Sequence, residues 1–125
     1  MNALRQPGKK WYATAITNEN SDGTVTLEVG AVQGRRHALT DFSVFITSIE
    51  PDGDGSGDEP ANPIVTITVK DGDDIVWQGF LGHGEHIVCA LNTPIIGTAS
   101  QALAIVAEDV LTVCSINACG VTIKH

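Results

Sequence analysis

Apolar and polar side chains alternate with a period of two through most of the chain, most sharply between Ile64 and Phe80, IVTITVKDGDDIVWQGF. Val65, Ile67 and Val69 fall on one side of an extended segment and Thr66, Thr68 and Lys70 on the other, because successive Cβ atoms of a strand point to opposite faces. Two such runs joined through Asp71-Gly72-Asp73-Asp74 predict a β-hairpin. A three-residue connection, Asp71 to Asp73, sets Val69 opposite Ile75, Ile67 opposite Trp77 and Lys70 opposite Asp74. A two-residue turn at Asp71-Gly72 without a bulge puts the apolar faces out of step. The expected hairpin therefore has Gly72 or Asp73 at positive φ, Ile75 and Trp77 on one face, and Trp77 in the core.

The same reading places strands at Trp11 to Thr17, with Trp11, Ala13 and Ala15 aligned, and at Thr24 to Val29, with Val25, Leu27 and Val29 aligned. A third runs from Ala38 to about Ile49 with Phe42, Val44 and Ile46 inward, long enough that a bulge or bend is expected. His86 to Leu91 and Ala102 to Ala107 follow, then Val110 to about Lys124 as a final strand or a pair interrupted near Asn117 to Gly120. Asn92 to Ser100, NTPIIGTAS, reads as a Pro/Gly connection. Gln101 to Ala107 is compatible with a helix, but its flanking turn residues and the strand-rich context favour a strand. The total of about eight strands predicts an all-β fold: an antiparallel eight-stranded β-sandwich of jelly-roll type.

At 125 residues the chain suits one domain, which at this size buries roughly two-thirds of its unfolded surface. Charge divides it. Arg5, Lys9 and Lys10 precede the first acid, Glu19, so residues 1–10 read as a basic N-terminal arm and residues 11–125 as the sandwich domain. The net charge of −8 opposes nucleic-acid binding, which needs clustered Lys and Arg. Glu50 to Pro63, EPDGDGSGDEPANP, holds five carboxylates and almost nothing apolar, and is expected to be a mobile acidic loop. No apolar run approaches the roughly 18 residues that span a bilayer, and the N-terminus has no apolar signal core. No membrane association is expected, and Cys89, Cys114 and Cys119 are expected to be reduced, buried thiols of a protein made in a cytoplasm.

Few residues point to chemistry. Asp52, Asp54, Ser56 and Asp58 match the first half of a calcium loop, but Pro63 stands where the closing Glu is needed, so no metal is expected there. His83-Gly84-Glu85-His86 gathers two imidazoles and a carboxylate, yet its spacing is not the H-x-H of a β-helix metal site, and two histidines so placed at a strand start face opposite sides. No elbow positions a Ser or Cys nucleophile and no glycine-rich strand-to-helix turn cradles phosphate. Carbohydrate binding on a sheet face wants exposed aromatics, and Trp11, Tyr12 and Trp77 are the only Trp or Tyr residues. Neither a catalytic residue nor a cofactor is expected.

Gly8-Lys9-Lys10-Trp11 leading to Ala13, Gly34-Arg35, Val69-Lys70-Asp71-Gly72 with Val76-Trp77, Pro94, Gly97-Thr98-Ala99 before Ala102-Leu103, and Ile116-Asn117-Ala118-Cys119-Gly120 occur in this order over roughly residues 8 to 121. In this order and spacing the chain resembles the small jelly-roll proteins that decorate, or cement, the capsids of tailed bacteriophages. It departs from their pattern in the Glu50 to Pro63 insertion, in Cys119 and in lacking an aromatic after Gly120. The resemblance implies a non-enzymatic virion structural protein, assembled in the host cytoplasm and carried on the capsid surface. Its partners would be the major capsid protein and itself, as a homotrimer. Arg5, Lys9, Lys10 and Trp11 are the residues expected to bind the capsid. The alternative is a host-recognition or glycan-binding module on capsid or tail that uses the acidic loop, with calcium as a bridge.

Overall fold

A computed structural model describes residues 9–16, 23–48 and 64–124. Eight alternating segments become strands: β1 (Lys9–Ile16), β2 (Val25–Val29), β3 (Arg35–Ile46), β4 (Ile64–Asp71), β5 (Asp74–Gly82), β6 (His86–Ile96), β7 (Leu103–Glu108) and β8 (Cys114–Lys124). They form two four-stranded sheets, a first with order β1-β8-β3-β6 and a second with order β2-β7-β4-β5. Every pairing is antiparallel. The all-β, two-sheet antiparallel architecture expected from the sequence is the one observed.

The apolar stripe of each strand enters one core. Leu39, Val44, Cys114 and Ile116 come from the first sheet and Val65, Ile67, Val69, Leu103, Ile105 and Ala107 from the second, all buried. Burial of this aliphatic surface is the main driving force for joining the sheets. Trp11, Ala13 and Ala15 pack against the cluster while Tyr12, Thr14 and Ile16 face out, which is the alternation read from sequence.

The hairpin differs from expectation in register. Val69 pairs with Trp77, Lys70 with Ile75 and Asp71 with Asp74, leaving a two-residue turn at Gly72-Asp73. Gly72 takes a φ of 60°, as expected for a turn of this kind. Val76 is the extra residue of a β-bulge between Ile75 and Trp77, and it absorbs the one-residue offset that an unbulged two-residue turn would leave. The bulge frees Ile75 from the core side, so Ile75 is 59% exposed. Trp77 is half-buried and meets Phe42 of the first sheet edge to face at 5.2 Å. Its ring also covers Gly79, where an added Cβ would stand 2.5 Å from it.

The irregularity anticipated in β3 lies at Thr40, between Leu39 and Asp41. Opposite it, β6 runs on past Leu91 to Ile96 where the sequence had indicated a connection. Leu39 pairs with Ile95 and Asp41 with Ala90, so residues 91–94 form an excursion in the ladder. Pro94 is tolerated there because β6 is an edge strand, whose outward N–H groups have no ladder partner to lose. β8 begins at Cys114 rather than Val110, and it is continuous through Asn117 to Gly120 because β1 and β3 pair with it on both sides.

Candidate functional site: a cationic end of the first sheet

The registers of β1, β8 and β3 bring separated parts of the chain to one end of the first sheet. Lys9 pairs with Thr122 and Lys10 with Val121. On the other side of β8, Arg35 pairs with Lys124 and Arg36 with Ile123. Five of the seven basic residues therefore lie in consecutive rows at one end of three adjacent strands. Side-chain alternation puts Lys9, Arg35 and Lys124 on the side of Trp11 and Leu39, and Lys10 and Arg36 on the opposite face with Tyr12. Lys9, Lys10, Arg35 and Lys124 are exposed and Arg36 is half-buried. Among the described residues none of them makes an ion pair, and the buried Nε of Arg36 has no hydrogen-bond partner. Asp71, on the hairpin, is engaged elsewhere: it accepts from the Thr98 N–H at 2.9 Å and from the Thr98 hydroxyl at 2.6 Å.

This end is tied together by hydrogen bonds between residues far apart in the chain. Gly34, at φ 74°, makes the turn into β3, and the Arg35 N–H donates to the Val32 carbonyl at 3.0 Å. The Ser100 N–H reaches the Arg35 carbonyl at 2.8 Å, and the Gly34 N–H donates to Ser100 Oγ at 2.8 Å. Beneath the cations His37 is buried, with Nε2 2.7 Å from the Gly30 carbonyl and Nδ1 2.8 Å from Thr122 Oγ1. A carbonyl can only accept, so Nε2 carries the proton, and in the neutral ring Nδ1 accepts from the Thr122 hydroxyl. Trp11 meets His37 edge-on at 6.3 Å. The imidazole thus ties the turn before β3 to β8 and β1.

Of the residues expected to bind a capsid, Arg5 lies outside the described residues. Lys9 and Lys10 are exposed but belong to β1, so the strand extends into the segment read as an arm. Trp11 is half-buried on the inner side, where it packs against the core and fixes β1. Arg35, Arg36 and Lys124 were not among those residues. No local signal joins them to Lys9 and Lys10, since only the pairing of β1, β8 and β3 does so.

The remaining motifs disperse. His83 is buried and its Nε2 accepts from the Leu111 N–H at 3.0 Å, while His86 is exposed and stacks on Phe45 at 5.4 Å. Glu85 accepts from the Gly82 N–H within its own turn. Among the described residues no three His, Cys, Asp or Glu side chains converge as metal ligands. The acidic segment 50–63 lies outside the described residues. The three cysteines are free thiols. Burial pushes Cys114 up to about 11 and also raises Cys89. For Cys119, burial raises the thiol most, the Thr40 hydroxyl lowers it, and the Asp41 carboxylate raises it again.

The outer face of the first sheet holds a second feature. Tyr12, Cys119, Asp41 and Ala90 form one row across the sheet, and Thr14, Asn117, Ser43 and Val88 the next. Between them lies a shallow depression of about 240 Å³. Tyr12 is 80% exposed at its rim.

Fold and surface together define a two-sheet β protein with a cationic end on an acidic chain. The chain matches no protein-family model, no curated protein and no solved structure.

Proposed function

We propose that this is a non-enzymatic virion structural protein that binds the outer surface of a phage capsid as a decoration protein. The observation that carries the reading is the cationic end: Lys9, Lys10, Arg35, Arg36 and Lys124 are collected from three strands, without ion pairs among the described residues, on a chain of net charge −8. Arg35 opposite Lys124 sets like charges directly across from each other, which is unfavourable, and local conflicts of this kind are expected at functional sites. The partner surface is the acidic exterior of the major capsid protein, with electrostatics guiding encounter and register. Arg5, outside the described residues, adds a further cation to the chain shortly before β1, and Trp11 acts by holding β1 in place. The resemblance carried by Lys9-Lys10-Trp11, Gly34-Arg35 and Asn117-Ala118-Cys119-Gly120 supports a capsid over other acidic partners.

In this reading the sandwich is a jelly roll. The orders β1-β8-β3-β6 and β2-β7-β4-β5 support it, as does the passage of every connection except β4–β5 from one sheet to the other. The protein acts as a homotrimer, because cyclic closure protects sheet edges and lets weak capsid contacts act together. It is assembled in the host cytoplasm and resides on the capsid. The test is to mix the purified protein with undecorated capsids at low salt, sediment the particles and count bound copies. A number matching the lattice symmetry is expected, and absence of co-sedimentation would overturn the reading.

A further inference from the structure

The depression on the outer face of the first sheet is lined by an aromatic ring and by polar groups with unused capacity. Tyr12 presents its ring at the rim, and Val88 forms the opposite apolar wall. The Cys119 thiol donates to Asp41 Oδ2 at 3.3 Å, leaving the other carboxylate oxygen to accept. Asn117 accepts from the Thr14 hydroxyl at 2.8 Å and donates to Ser115 at 3.1 Å, so one of its two amide N–H groups remains. The Ser43 hydroxyl makes no hydrogen bond among the described residues. One exposed ring face, one free carboxylate oxygen, one amide N–H and one hydroxyl thus converge on a single concavity.

We propose that this depression binds a single hydroxylated ring, the pyranose of a saccharide, with its apolar C–H face on Tyr12 and its hydroxyls on Asp41, Asn117 and Ser43. Concave, mainly apolar sites with a few placed polar groups are the usual form of a small-molecule site. At about 240 Å³ the depression is smaller than the roughly 300–1,000 Å³ of sites for larger ligands, which limits it to one ring. A carboxylate acceptor beside an amide donor matches adjacent hydroxyls, each of which both donates and accepts. The carboxylate also disfavours anionic ligands. For one ring on an open surface the dissociation constant is on the order of 1 mM. The site does not depend on the capsid reading, since none of Asp41, Ser43, Asn117 and Tyr12 is one of the five cations; Lys10 is the same-face neighbour of Tyr12 on β1 and borders the rim.

The test is backbone-amide NMR of the full-length protein titrated with glucose, galactose, mannose, rhamnose and N-acetylglucosamine. Their methyl glycosides, in a parallel arm, stand for the end of a glycan chain. Saturable shifts at Tyr12, Asp41, Asn117 and Cys119 are expected with at least one sugar. Methyl glycosides binding better than free sugars would identify a chain terminus as the source. Tyr12→Ala should weaken binding at least tenfold and Tyr12→Phe should retain it; Tyr12 is exposed, so both variants fold. No saturable shift with any sugar, or equal binding by Tyr12→Ala, would overturn the proposal. So would concentration-dependent broadening of the same amides without sugar, which would mean that a second copy of the chain covers this face.

Discussion

Arg35 and Lys124 sit directly opposite each other across β3 and β8, and neither makes an ion pair among the described residues. Cross-strand pairs contribute roughly 0.2–1 kcal/mol when complementary and cost energy when like charges oppose. Replacing Arg35 with Glu converts repulsion into attraction. We expect Arg35→Glu to raise stability by about 0.2–1 kcal/mol in urea unfolding while weakening capsid binding. Opposite movement of the two measurements separates a functional cation from a structural one.

Capsid association should depend on salt. Exposed charges interact over about 30 Å at 0.01 M ionic strength and about 3 Å at 1 M. Raising salt across this range should lower the association rate of the native protein, and Lys9→Glu with Lys10→Glu should lower it at low salt by on the order of tenfold. Stopped-flow or surface-binding kinetics would read both effects, and a salt-independent rate would remove the cationic end from the mechanism.

Gly120 allows β8 to pass close beneath Trp11. A Cβ there would lie 2.0 Å from the Ala38 carbonyl oxygen and 2.5 Å from the Trp11 ring. The carbonyl belongs to the neighbouring strand and cannot swing aside as a flexible side chain can. Gly120→Ala is expected to cost roughly 1–3 kcal/mol or more, seen as a lower unfolding midpoint with altered tryptophan fluorescence.

The cysteines give a pH prediction with a definite sign. The Cys114 thiol is raised from 9.0 to about 11 by burial, so above pH 9 the unfolded chain loses this proton before the folded one does. The stabilisation tied to Cys114 is fully present below pH 9 and is lost as pH rises toward 11. Cys114→Ser should retain less stability at neutral pH, since the hydroxyl is buried in the core, and a flatter decline between these values. Under native conditions near pH 8, a thiol reagent should modify Cys114 last, and unfolding should release all three thiols.

Alternation along the chain made the strands legible, because burying one face of a sheet imposes a period of two on the side chains. Val65, Ile67 and Val69 are as buried as that pattern required, and the length of β3 signalled the bulge found at Thr40. Ile75 was misplaced because a bulge shifts facing by one residue without leaving a mark in composition. The run of β6 through Pro94 was hidden because a proline reads as a break unless the strand is known to be an edge. In the candidate site Lys9 and Lys10 were visible as local charge. Arg35, Arg36 and Lys124 joined them only through strand order, which depends on contacts between residues far apart in the chain. Likewise, Tyr12 was visible as an aromatic residue, but its place beside Asp41 and Asn117 depends on the pairing of β1, β8 and β3.

β8 lies in the middle of the first sheet, between β1 and β3, although it follows every other described strand in the sequence. A ribosome therefore releases β1 and β3 well before the strand that joins them exists. Until residues 114–124 emerge, β1 lacks the one ladder partner it has among the described residues and β3 lacks one of the two it has there. Folding led by such long-range pairing is slow and leaves strand edges open to other chains. The eleven-residue β8 thus acts as a completion signal: a chain truncated before Cys114 should fail to close its first sheet and should accumulate as aggregate, however much of the second sheet it retains.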